Sequence, residues 1–273
     1  MQCSVPTVPD SSNCRVFFSK KFLKNIPHLK KTLYLYTIID NSKTMKFTEI
    51  EDIFSANRMR KYVNACGGDT RRAMTLYRYN LKLSQEMFTL ISCFEVALRN
   101  RIDKQMTARF GSDWLRDLVM PGGTFYNARG VERTKKIILN AYNELNNSGN
   151  YSHSKLLAVM EFGIWKYLFS NAHYRLTGRV LLQAFPHKPR SSAQVQYDHN
   201  YIFHELNFIN NIRNRIAHHE PICFGNSVCI DSTYALSHYS RMMTLFQWMD
   251  IDAPNLLYGL DHVNKVCGQM MLI

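Results

Sequence analysis

The chain has no CxxC pair: its seven cysteines stand singly at positions 3, 14, 66, 93, 223, 229 and 267. That scatter and the odd total suggest neither a disulfide framework nor a zinc ribbon, and a reducing, cytoplasmic setting is expected. No apolar run approaches the roughly 20 residues of a membrane span, and none is expected. The N-terminus lacks the charged, apolar and small-residue order of a signal peptide. The Walker loop, GxGxxG and GxSxG do not occur, and no cysteine is marked out for protease chemistry. His204-Glu205 is not followed by the second histidine of HExxH. Adjacent histidines such as His218-His219 diverge by about 100° on a helix, so no metal site and no cofactor are expected. Alternating strand patterns and internal repeats are also missing.

Acidic residues are scarce. There are 21 Asp/Glu against 34 Lys/Arg, a net charge of +13 and a pI near 9.4. Such a balance favours a polyanionic partner, most simply nucleic acid, although a solvated basic face would give the same count. Hydrophobic residues make up 46% and charged residues 20%, a globular composition over a length that buries a substantial core.

Residues 1–44 differ from the rest. They carry seven Lys/Arg against two Asp/Glu, or +5 of the total, leaving +8 for 45–273. Two readings stay open: a basic arm that touches nucleic acid, or an extension upstream of a natural start at Met45. From Met45 onward one helical domain is expected. Ile53 to Cys66 reads as a helix stopped by Gly67-Gly68, and Asp69 as the N-cap of the next. That helix is predicted to break near Asn80 to Ser84 and to end at Gly111. Further helical patterns cover 129–146, 154–184, 196–219, 233–249 and 255–267. The predicted class is all-α.

Two helices carry polar residues where the 3.6-residue period demands apolar ones. Ile202, Leu206, Ile209, Ile212 and Ile216 form one stripe, and Arg213 falls within its angular range. Opposite them Asn207, Asn211, Asn214 and His218 align at i, i+4, i+7 and i+11. Asparagine is a poor helix former, so such a line costs a few tenths of a kcal/mol per residue against alanine. On the other helix Phe88, Ile91, Leu98 and Ile102 form the expected stripe, with Glu95 in its middle. Glu95 has two candidate cations, Arg99 one turn on and Arg213 from the other helix. The second would have the two helices packed together, with Glu95 orienting Arg213.

Arginine, asparagine and histidine within six residues supply what RNA cleavage requires. A neutral histidine takes the ribose 2′-hydroxyl proton, a guanidinium binds the phosphate, and an amide adds a hydrogen bond or fixes the imidazole. Arg213 and Asn214 diverge by about 100°, so one helix converges poorly on one phosphate. Two copies across a two-fold axis would complete the site, and a homodimer with a shared active site is expected.

The segment Arg213 to His218 matches the RNxxxH form of the RxxxxH signature. IRNRIAHHEPI, with RKYVNACGGDTRRAMTLYRYNLKLSQEMF and FEVALRNRID upstream, resembles the Abi-like abortive-infection proteins of the HEPN ribonuclease superfamily over about Ile53 to Pro221. The resemblance implies a HEPN-like helical bundle with additional helices, and a dimeric, metal-independent endoribonuclease of toxin-like character in phage defence. An antitoxin or regulatory RNA would restrain it. It places Arg213, Asn214 and His218 in catalysis and matches Glu95, Arg99 and Asn100 to the family's ExxLRN element as supporting residues; His219, beside His218, is a further expected supporting residue. Asn207, Asn211 and Arg215 are the expected RNA contacts. Residues 1–44 have no counterpart in the resemblance. The alternatives are a non-catalytic RNA- or nucleotide-binding module, or an interaction protein that senses a phage component.

Overall fold

Residues 66–69 show how local chemistry sets the helix boundaries. The Gly68 amide donates to the Val63 carbonyl at 2.9 Å, and Gly67 and Gly68 take φ of +62° and +90°, angles that a Cβ disfavours. Asp69 then accepts from the amides of Arg71 and Arg72 at 2.9 and 3.0 Å, satisfying two orphan donors of the next helix.

The computed structural model describes residues 45–225 and 229–273. The basic stretch 1–44, arm or upstream extension, lies outside them. The chain divides into two compact units, Met1–Ile53 and Phe54–Ile273. Of the first, the described residues are 45–53, where the Lys46 amide donates to Glu49 at 2.9 Å as helix α1 (Phe47–Phe54) begins.

The second unit continues with α2 (Ala56–Ala65), α3 (Thr70–Phe110), α4 (Trp114–Asp117), α5 (Glu132–Asn147) and α6 (His153–Ala158). Then come α7 (Phe162–Tyr167), α8 (Asn171–Leu176), a 3₁₀ turn at Leu181–Ala184, α9 (His199–Ala217), α10 (Thr233–Trp248), α11 (Ala253–Leu256) and α12 (Val263–Met270). The fold is all-α: twelve α-helices, and no strand beyond an isolated bridge between Phe224 and Ile230, among the described residues.

Helix α3 is the axis. At 41 residues it runs about 60 Å, and α2, α7, α9, α10, α12 and the 3₁₀ turn all pack on it. Its buried stripe is Leu83, Met87, Leu90, Ile91, Phe94, Leu98, Ile102 and Met106. Phe94 sits at the junction of three helices, 5.2 Å from the Phe246 ring of α10 and 6.4 Å from Phe162 of α7. Burial of each such large side chain contributes about 1.5–3 kcal/mol. Helix α9 lays Ile202, Leu206, Ile209 and Ile212 inward, as its periodicity predicts, while Ile216 is half-buried. Arg241 of α10 reaches Glu205, which is buried on α9, and its guanidinium stacks over Phe208 at 4.2 Å.

Five local expectations are corrected. Phe88 is 49% exposed, so the core stripe of α3 is centred on Phe94 instead. The helix does not break near Asn80, because that side chain is buried in a tertiary hydrogen bond that replaces the local one asparagine would otherwise seek. The predicted helix Ile53 to Cys66 is interrupted at Ser55, whose φ of +70° ends α1 while its hydroxyl accepts from the Arg58 amide at 3.3 Å. The span 154–184 resolves into α6, α7, α8 and the 3₁₀ turn, with Ser170 in extended conformation before α8 and Gly178 at φ +70° after it. The span 255–267 divides at Gly259, φ +75°, between α11 and α12.

Candidate active site

Helix α9 ends inside the motif, and its ending is pinned from four sides. His218 is the C-cap, with its amide donating to the Asn214 carbonyl at 2.9 Å. His219 follows at φ +56°, a left-handed position that glycine usually fills. The His219 amide donates to Ile216 at 3.0 Å and the Glu220 amide to Arg215 at 2.8 Å, the paired bonds of a Schellman ending. Arg58 of α2 donates to the His219 carbonyl at 2.7 Å. Arg215 donates to the Pro221 carbonyl at 2.7 Å, lies 3.4 Å from the Glu220 carboxylate and stacks on Tyr234 of α10 at 4.5 Å. One residue further on, the buried Ile222 amide donates to Asn80 of α3 at 2.9 Å. Lys61 and Tyr62 of α2 then cover the Phe224 ring at 4.7 and 5.2 Å. The backbone carrying both histidines is thus held by α2, α3, α9 and α10, while the imidazoles themselves are exposed and form no hydrogen bond with the described residues.

Arg213 is half-buried, on the core edge of α9 where its angle placed it. Its Nη1 lies 3.4 Å from Asn214 Oδ1. The length of the arginine side chain closes the 100° between the two positions, so they meet within one chain, and divergence of Arg213 from Asn214 no longer argues for a second copy. His218 stands one turn beyond.

Glu95 of α3, also half-buried, joins this group electrostatically. Burial raises its carboxyl above the ordinary carboxylate range; Arg213 opposes that rise more than Arg99 does, and Glu161 adds to it. Among the described residues no ion pair ties Glu95 directly to either arginine. Arg213 is therefore the stronger neighbour of Glu95, through space and not through a clasp. Arg99 is half-buried and Asn100 exposed on the same stretch of α3.

The asparagine line is not a uniform solvent face. Asn211 is exposed and Asn214 half-buried, while Asn207 accepts a hydrogen bond from Lys166 of α7 at 3.0 Å. Lys166 is only 6% exposed, and burial pulls its ammonium below the ordinary lysine value. Sequence reasoning missed it, although a lysine inside the apolar run FGIWKYLF is a visible anomaly. It also missed Arg58, which no local pattern marks, and the tether made by Asn80, which the local pattern marks only as a helix break. Arg215, expected to contact RNA, gives Nη2 to the Pro221 carbonyl of the turn, while its buried Nε approaches Glu220 at 3.4 Å without a hydrogen bond. The surface cavities at Phe110 to Thr124 and at Tyr126 to Leu139 lie elsewhere, and no motif residue lines them. Among the described residues no cluster of His, Cys, Asp and Glu gathers in metal-holding geometry, and no helix is long and apolar enough to cross a membrane.

A profile of the Abi-like proteins matches residues 21–223, about three quarters of the chain. The chain belongs to the Abi-like protein family. Searches of curated proteins and of solved structures gave no match. The Abi-like span closes at Cys223, so it takes in the whole pinned turn from Arg213 to the Asn80-bound Ile222. It opens at residue 21, inside the basic stretch, and gives 21–44 a family counterpart that the motif resemblance did not supply.

Proposed function

We propose that this Abi-like protein is a metal-independent endoribonuclease of abortive-infection defence, with Arg213, Asn214 and His218 as its reacting set and a HEPN-type mechanism. The observation that carries this reading is the Arg213–Asn214 contact at 3.4 Å, on a pinned helix end that leaves His218 exposed one turn away. In this chemistry His218 takes the proton from a ribose 2′-hydroxyl. The 2′-oxygen bonds to phosphorus, the bond from phosphorus to the 5′-oxygen breaks, and a 2′,3′-cyclic phosphate and a 5′-hydroxyl result. Arg213 binds the phosphate oxygens and stabilises their developing charge, and the Asn214 amide donates to the same group. The leaving 5′-oxygen needs a proton of its own. A homodimer supplies it from the equivalent histidine of a second copy, and His219 is the alternative donor within one chain. Glu95 tunes Arg213 through space, while Arg99 and Asn100 support that edge of α3. Membership in the Abi-like family supports the defence role, which requires restraint by an antitoxin or regulatory RNA and a cytoplasmic location.

The test is purified protein with total RNA in EDTA, comparing wild type, Arg213→Ala and His218→Ala. Cleavage that survives chelation, ends in 2′,3′-cyclic phosphate and falls at least a hundredfold in either variant is the expected result. Cleavage indifferent to both substitutions refutes the assignment. RNA binding without cleavage moves the chain to a non-catalytic module, and neither activity leaves a phage-sensing interaction protein.

A further inference from the structure

Lys166 is an expensive residue to keep where it lies. The residue is 6% exposed, and its ammonium is hydrogen-bonded to Asn207 and lies near the rings of Tyr167 and Phe203 at 4.6 and 5.7 Å, with no carboxylate paired to it among the described residues. An apolar side chain of similar volume would satisfy the site at lower cost. The hydrogen bond shows what the cation does. An ammonium can only donate, so Asn207 must present Oδ1 to Lys166 and turn its NH₂ away from α7. Two helical turns on, Arg213 treats Asn214 in the same way: a guanidinium also only donates, and it takes Asn214 Oδ1 at 3.4 Å. Each of these two asparagines of one stripe is therefore held by a cation at its carbonyl end and left free to donate at its amide end.

We propose that Lys166 is a positioning residue that aims the Asn207 amide, making α9 a binding track for single-stranded RNA several nucleotides long. The inference rests on the ribonuclease reading for its ligand class. Seven residues of helix separate the two amides by about 10.5 Å, too far to serve one phosphate, so they engage separate groups of an extended substrate. The track continues in the same direction to Phe203, whose ring lies 5.9 Å from Tyr167. Tyr167 is 40% exposed and offers a base a face to stack on. From Phe203 to His218 the helix rises about 22 Å, the length of several nucleotides and not of one.

The probes are a 2′-O-methyl 12-mer, which lacks the nucleophile and stays intact, and a 2′-O-methyl dinucleotide used as its competitor. The proteins are wild type, Lys166→Met and Asn207→Asp. The second variant keeps an acceptor for Lys166, replaces the outward donor with an acceptor, and places its added negative charge against the Lys166 ammonium. Both are expected to bind the 12-mer about tenfold more weakly, to bind the dinucleotide unchanged, and to melt no lower than wild type. On cleavable RNA the loss falls on KM and leaves kcat unchanged. An unchanged 12-mer affinity in both variants, or a loss of equal factor for the dinucleotide, overturns the track. Wild type that binds the 12-mer but cleaves nothing ends the catalytic reading and leaves the track standing. Wild type that binds no RNA ends both.

Discussion

Replacing Asn80 with alanine separates the turn that carries the histidines from the rest of the molecule. Asn80 is 3% exposed and Ile222 fully buried, so the Ile222 amide, held at 2.9 Å, has no water to fall back on. An orphaned buried amide costs about 1–3 kcal/mol. Against this, alanine is a better helix former than asparagine by roughly half a kcal/mol in the interior of α3. The burial term wins, and a net loss of about 0.5–2.5 kcal/mol is expected. In a domain of this size that lowers Tm by roughly 1–10 °C. The effect should also be local. Ile222 lies three residues after His219, whose left-handed backbone is held on its other side by Arg58. Loosening one tether is expected to raise hydrogen exchange at Ile222 and Glu220 and, on the proposed ribonuclease reading, to reduce RNA cleavage even where the fold stays intact. The assays are calorimetric melting, amide exchange by mass spectrometry, and cleavage at a temperature well below both melting points. A Tm within 1 °C of wild type with unchanged protection at Ile222 would refute the tether.

Two further outcomes follow from buried titrating groups. Glu95→Gln keeps the shape and removes the charge: cleavage should fall about tenfold if Glu95 tunes Arg213, and an unchanged rate would return Glu95 to a packing role. Because burial raises the Glu95 carboxyl in the folded protein, its contribution to stability is greatest below pH 4.5 and is lost as pH rises through the raised value. Melting against pH should therefore show the variant gaining on wild type from about pH 4.5 upward. His173 has the opposite sign of linkage to acid. It is 4% exposed, bonded to Ser170 and Thr134 at 2.7 and 2.8 Å, and burial holds it neutral down to about 4. Its contribution is present above the ordinary value of 6.5 and is lost as pH falls from there to about 4. A His173→Gln variant should show a flatter acid limb in the same melting series; an unchanged limb would place the acid sensitivity elsewhere.

Much of this protein is written in its sequence. The all-α class, the Gly67-Gly68 stop, the Asp69 cap, the inward isoleucines of α9 and the misfit of Arg213 all follow from neighbours within a few turns, where helical period and capping chemistry act. Periodicity also showed that Glu95 and Arg213 were out of place, because a charge on an apolar stripe is a local contradiction. What period cannot supply is the neighbour across the gap. Asn80, locally a helix breaker, becomes a tether only because Ile222, 142 positions away, brings it an amide. Arg58 and His219 meet over 161 positions, and Lys166 finds Asn207 over 41. Phe88 faces outward because the surrounding helices meet at Phe94, a choice between two plausible stripes that only packing makes. The residues of the motif were therefore legible in the sequence. The four helices that pin the turn, and the buried lysine behind its asparagines, were decided by the tertiary fold, since a hydrogen bond records a meeting in space and not a spacing in the chain.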